Sequence, residues 1–133
     1  MAKKYVICDT DVLIDYWNKK SKRHTATKEI LEEKLGIDKI IISAITKMEL
    51  LLGANNKQEE AEIKKKLTGF NTALFNEKIT LKAIDFFEKY HLSHGMAIPD
   101  CLIAATASLL GFELCTYNLK DFKFIEDLTL YKI

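Results

Sequence analysis

Short apolar runs alternate with stretches of helical periodicity along all 133 residues. Tyr5-Val6-Ile7-Cys8 stops at Asp9-Thr10, and Val12, Leu13, Tyr16 and Trp17 then recur at helical spacing, with Asp9 or Thr10 placed to cap that helix. Ile40-Ile41-Ile42 is a β-branched run. Ser43 is a natural N-cap for the next helix, which carries Ile45, Met48, Leu51 and Leu52 and ends near Gly53. Phe70 to Phe75, Glu113 to Thr116 and Leu128 to Tyr131 supply further strand candidates. Asn18 to Thr25 reads as a polar loop, and a helix follows through Ile30 to Leu35. Lys57 to Leu67 forms a solvated helix, and Leu81, Ile84, Phe86 and Phe87 mark an amphipathic one ending around His91. Pro99 opens a helix with Leu102, Ile103, Thr106 and Leu110, which Gly111 ends. Strands separated by helices need crossovers, so the pattern predicts an α/β fold with a parallel, helix-covered sheet.

The length fits a single domain over residues 1–133, able to bury about two thirds of its unfolded surface. With 48% hydrophobic and 29% charged residues, the chain is neither disordered nor membrane-embedded. No apolar window approaches the ~18 residues of a spanning helix. The start, Met1 to Lys4, runs straight into the first strand with no leader, so a cytoplasmic location is expected. Lys plus Arg is 20 against 19 acids, a net charge of +1. That balance excludes a purely electrostatic nucleic-acid binder, but not an enzyme that meets phosphate through a metal. Cys8, Cys101 and Cys115 are odd in number and show no CxxC spacing, so they read as reduced, partly buried thiols, with a thiol nucleophile as the alternative.

Most of the acids need no special explanation. Asp85 sits among Lys82, Glu88 and Lys89, and Glu59, Glu60 and Glu62 mix with Lys64 to Lys66 on wet faces. Three are out of place. Asp9 ends an apolar strand and opens a helix, at the carboxyl edge where parallel sheets bind ligands. Glu49 has Ile45, Leu52 and Gly53 as stripe neighbours, with Thr46 the only polar one. Asp100 follows Pro99 in the first turn of its helix, above Ala104 and Ala107. Their plainer roles are a cap for Asp9, a snorkelling or Lys-paired Glu49, and a dipole-favoured Asp100. Asp121, after the strand ending at Cys115-Thr116, is a fourth candidate. Acids converging in one crevice repel unless a cation neutralises them, and oxygen ligands suit Mg²⁺ or Mn²⁺. The chemistry then indicated is metal-assisted phosphoryl transfer.

Four stretches carry a resemblance. Ile7-Cys8-Asp9-Thr10-Asp11-Val12-Leu13-Ile14 resembles the opening of PIN-domain ribonucleases. Ile42 to Gly53, with Glu49, is similar to that family's second motif. Pro99 to Ala107 is similar to the third, and Leu114 to Phe122 to the fourth. Order and spacing fit over nearly the whole chain, and the length resembles VapC-type toxins of toxin–antitoxin pairs. The resemblance implies a PIN-like fold, a parallel sheet of about five strands with helices on both faces. It also implies Mg²⁺- or Mn²⁺-dependent cleavage of RNA, a homodimer and a small antitoxin partner. Asp9, Glu49 and Asp100 take the family's three acidic catalytic and metal positions. The fourth falls at Asn118 or Asp121, and Asp11 and Thr116 fit supporting roles.

Two other readings share these residues. Asp9-Thr10-Asp11 also resembles the opening of haloacid-dehalogenase-type phosphatases, with Asp9 as nucleophile and Asp11 as general acid, although no convincing Gly-Asp pair follows. A PIN-like scaffold that binds RNA or a partner without cutting is the other. His91 and His94 have a spacing at which a zinc pair is conceivable, but they read as helix C-terminal histidines. Lys19, Lys20, Lys22 and Arg23 form a basic loop, either solvated or beside the crevice and engaging RNA. Tyr16, Trp17, Phe86 and Phe87 read as core or dimer surface rather than base-stacking platforms.

Overall fold

The computed structural model describes residues 4–133; the start at Met1 to Lys3, where no leader is expected from the sequence, lies outside them. Four strands, β1 (Val6–Cys8), β2 (Ile40–Ser43), β3 (Asn71–Ala73) and β4 (Glu113–Cys115), form one sheet. Their order is β3-β2-β1-β4 and every pairing is parallel. The helices are α1 (Thr10–Trp17), α2 (His24–Glu29), α3 (Ala44–Leu52), α4 (Lys57–Leu67), α5 (Glu77–His94) and α6 (Ile98–Leu110).

Successive strand residues point to opposite faces, and both faces are covered. Val6, Cys8, Ile40, Ile42 and Cys115 face one core with Val12 and Leu13 of α1, Leu31, Leu67 and Phe70. Ile7 and Leu114 face the other, with Ile79 and Phe86 of α5, Ile103 and Ala104 of α6, and Phe122. Double coverage explains why β1 and β2 are continuous apolar runs rather than alternating ones. Ile7 and Leu114 are fully buried. Each such side chain contributes roughly 1.5–3 kcal/mol, and truncating one to Ala costs about 2–5 kcal/mol because a cavity remains.

Three expectations change. The fifth strand shrinks to one parallel bridge, Leu114 to Leu130, with the Leu114 N–H donating to the Thr129 carbonyl at 2.9 Å. Successive turns, Ile125 N–H to Phe122 C=O and Leu128 N–H to Ile125 C=O, occupy the chain up to Leu128, so little remains to run beside β4. Second, α5 continues past His91 to His94, where Gly95, at φ 64°, supplies the left-handed cap. Its core stripe is Ile79, Ala83 and Phe86, while Leu81 and Ile84 are exposed. Third, α2 begins inside the expected loop and continues as a wider π-type turn over Ile30–Leu35, stopping at Gly36. Among the described residues no helix is long and apolar enough to cross a membrane.

Candidate active site

The carboxyl edge of the sheet collects the acids. β1 and β4 pair through Cys8 and Cys115, and the Asp9 N–H extends that ladder by donating to the Cys115 carbonyl at 2.9 Å. Asp9 therefore lies beside Thr116. Its Oδ2 accepts from the Thr116 hydroxyl at 2.8 Å, and its Oδ1 accepts from the Thr10 N–H at 2.7 Å, capping α1. Thr116 Oγ1 in turn accepts from the Asn118 N–H at 3.0 Å. In the first turn of α1, Asp11 Oδ2 accepts from the Tyr117 N–H at 3.1 Å, while its buried Oδ1 has no hydrogen-bond partner among the described residues. From α3, Glu49 Oε1 accepts from the Thr10 hydroxyl at 2.7 Å. Asp100 sits in the first turn of α6, and Asp121 ends a short 3₁₀ turn, Leu119–Asp121.

These carboxyls influence one another. Asp9 is 4% exposed, and burial followed by repulsion from Asp11 pushes its pKa up to about 7, against the opposing bonds from Thr116 and Thr10. Burial also pushes Asp100 up to about 7, reinforced by repulsion from Asp9, Asp121 and Glu49. Burial raises Asp11 too, opposed by the Tyr117 N–H. Among the described residues no lysine or arginine forms an ion pair with any of these acids; the ion pairs fall at Asp15, Glu60, Asp85 and Asp127. The site thus brings Asp9, Glu49, Asp100 and Asp121 within electrostatic reach and leaves their charge uncompensated. Asn118 is exposed and contributes its backbone N–H to Thr116.

The donor set is hard oxygen, no lysine or arginine among the described residues pairs with it, and Asp11 Oδ1 is an orphaned buried acceptor. A divalent cation answers all three conditions. The acids do not close into a dry cage: among the described residues no three His, Cys, Asp or Glu groups are gathered tightly enough to hold an ion by themselves.

The competing candidates fall away on geometry. All three cysteines are free and buried. Burial and Asp100 push the Cys101 thiol up to about 11, and contact with Cys115 and burial raise Cys8, so neither supplies a thiolate. His91 stacks on Phe87 and His94 on Phe124, at ring separations of 4.4 and 4.0 Å, which commits them to separate aromatic partners. In the basic loop, Lys19, Lys20 and Lys22 are exposed, whereas Arg23 lies 4.3 Å over the Tyr117 ring, one residue from Thr116. Thr10 and Tyr117 were not singled out from the sequence as site residues. The one available signal was Thr46, the lone polar neighbour on the stripe of Glu49; its hydroxyl lies 3.1 Å from that of Thr10.

A parallel sheet with acids gathered at its carboxyl edge defines the class: the chain belongs to the PIN domain family, whose family model matches residues 6–126. Ribonuclease VapC10 of Mycobacterium tuberculosis is 29% identical over 124 residues, covering 92% of this chain and 90% of that protein. A toxin–antitoxin complex from Klebsiella pneumoniae superposes with a TM-score of 0.73 at 28% identity, over 96% of this chain and 99% of that one. VapBC2 from Rickettsia felis, bound to a DNA fragment from its promoter, gives 0.74 at 25% identity, over 96% and 97%. The family match displaces the phosphatase reading, and both oxygens of Asp9 are already engaged rather than free to attack.

Proposed function

We propose that this chain is a ribonuclease acting as the toxin of a toxin–antitoxin pair, as one domain over residues 1–133, in the cytoplasm. The observation that carries the reading is the uncompensated acid cluster of Asp9, Glu49 and Asp100, drawn from three separate elements to one sheet edge. In this reading Asp9, Glu49 and Asp100 hold Mg²⁺ or Mn²⁺. When bound, the ion supplies charge neutralisation and activates water to attack an RNA phosphodiester. Asp121 fills the fourth acidic position, because its charge acts on Asp100. Thr116 orients the Asp9 carboxylate through its hydroxyl, and Asp11 ties the first turn of α1 to the loop carrying Thr116 and Asn118. Arg23, stacked on Tyr117 at the rim, is placed to meet RNA phosphate.

The toxin–antitoxin neighbours support a cognate antitoxin as partner, and a second copy of this chain is the other proposed partner. Exposed apolar side chains on α5 and α6, Ile84, Ile98 and Leu109 among them, give the copies a surface to bury. The test is an RNase assay on purified protein with Mg²⁺, Mn²⁺ or EDTA. Cleavage with either ion and none in EDTA supports the reading. Cleavage that persists in EDTA contradicts it, and intact RNA under every condition leaves the binding scaffold.

A further inference from the structure

We infer that Thr10 is a positioning residue that locks Asp9 and Glu49 into one metal-competent arrangement, an assignment that rests on the metal-site reading above. Thr10 opens α1, and among the described residues it is the one that hydrogen-bonds both acids. Its backbone N–H donates to Asp9 Oδ1 at 2.7 Å, and its side-chain hydroxyl donates to Glu49 Oε1 at 2.7 Å. The two acids come from elements 40 positions apart in sequence, at the ends of neighbouring strands.

The hydroxyl carries a single proton. Glu49 at 2.7 Å is the nearer and the charged acceptor, and takes it in preference to Thr46 Oγ1 at 3.1 Å. Thr46 is fully buried, and its hydroxyl lies against that of Thr10. Glu49 is half-buried on α3, with exposed Met48 on one side and buried Leu50 on the other, and its carboxylate sits at the end of a flexible stem. Without the Thr10 hydroxyl, nothing among the described hydrogen bonds fixes its carboxylate. Fixing it beforehand removes a rotamer cost from ion binding, the effect that partners behind a ligand have at metal sites.

Thr10→Val keeps the shape and the backbone N–H but deletes the hydroxyl, and Thr10→Ser restores it. Mn²⁺ affinity is read without RNA from the free-ion electron paramagnetic resonance signal, alongside RNA cleavage across a Mn²⁺ series. The expected result is affinity about 10-fold weaker in Thr10→Val, the range for such positioning partners. The Mn²⁺ concentration for half-maximal cleavage should rise with it, and Thr10→Ser should recover most of the loss. Thermal unfolding of each variant without metal reports whether the fold is intact. Equal Mn²⁺ affinity in wild type and Thr10→Val overturns the assignment, whatever the RNA result. So does a Thr10→Ser variant as weak as Thr10→Val, which makes the effect one of packing. A wild type that binds Mn²⁺ but leaves RNA intact overturns the ribonuclease reading alone, and one that binds no Mn²⁺ overturns both.

Discussion

At the ends of β1 and β2 the chain makes the same turn. Asp9 leaves its strand at φ −71°, ψ 157°, and Ser43 leaves its own at φ −72°, ψ 150°. Each side chain caps the helix that follows, Asp9 through the Thr10 N–H and Ser43 through the Ile45 N–H, and each is buried. Ser43 shows that the turn needs only a neutral acceptor. Asp9 does the same work with a charge that burial and its neighbours oppose, so its pKa stands near 7. The difference separates what the fold requires from what the site requires. A carboxylate at Asp9 costs stability at neutral pH and supplies negative potential to the edge of the sheet.

That contrast breaks most sharply through charge removal. Asp9→Asn keeps an acceptor for the Thr10 N–H, as Ser43 does for Ile45, yet metal-dependent RNA cleavage should fall by roughly two orders of magnitude or more. Asp100→Asn should lose as much, and it separates activity from stability. The raised Asp100 pKa means the folded state binds the proton more tightly than the unfolded chain. The penalty is therefore absent below about pH 4, grows as pH rises from 3.8 towards 7, and is complete above about 7. Without metal, Asp100→Asn should melt about 3–5 °C above wild type at pH 8, the shift that ~1 kcal/mol gives in a domain of this size once solvent screening is allowed for. The two should melt together at pH 4. Thermal scans at both pH values check this.

Thr116→Val sharpens the comparison, since Ser43 has no counterpart to this hydroxyl. Asp9 loses a buried donor and the Asn118 N–H loses an acceptor. The expected cost is about 1–2 kcal/mol in denaturant unfolding, with the acidic limb of the cleavage–pH profile moving to higher pH. The smallest effect belongs to Ser43→Ala, about 1 kcal/mol of stability from the lost cap. Its cleavage per folded molecule should equal wild type, which a specific-activity assay below the melting transition reads.

What the sequence discloses follows from how local each cause is. β1 and β2 are legible because burial on both faces demands uninterrupted Val6-Ile7-Cys8 and Ile40-Ile41-Ile42. The caps Asp9, Ser43 and Gly111 are legible because each acts within a few residues of itself. The core stripe of α5 is not, since the helix carries two apolar stripes and only packing along α6 selects Ile79–Ala83–Phe86 over Leu81–Ile84. The last strand is not either, because turns after Phe122 consume its pairing length. At the site, Glu49 stands out as an acid on an apolar stripe. Its bond to Thr10 spans 39 positions and leaves no local mark. The proposed preference for Asp121 over Asn118 rests on the position of Asp100, on a third element.

In the proposed reading, the acids at the carboxyl edge repel one another until a divalent cation joins them. Calorimetric titration of Mn²⁺ into wild type and Asp100→Asn, at pH 6 and pH 8 in buffers of different ionisation enthalpy, tests it directly. The account predicts tighter binding at pH 8 than at pH 6, and buffer-dependent heats near pH 7 from protons released by Asp9 and Asp100. It also predicts affinity at least about 10-fold weaker in Asp100→Asn. Absent binding in wild type, or one affinity shared by both proteins at both pH values, would contradict it.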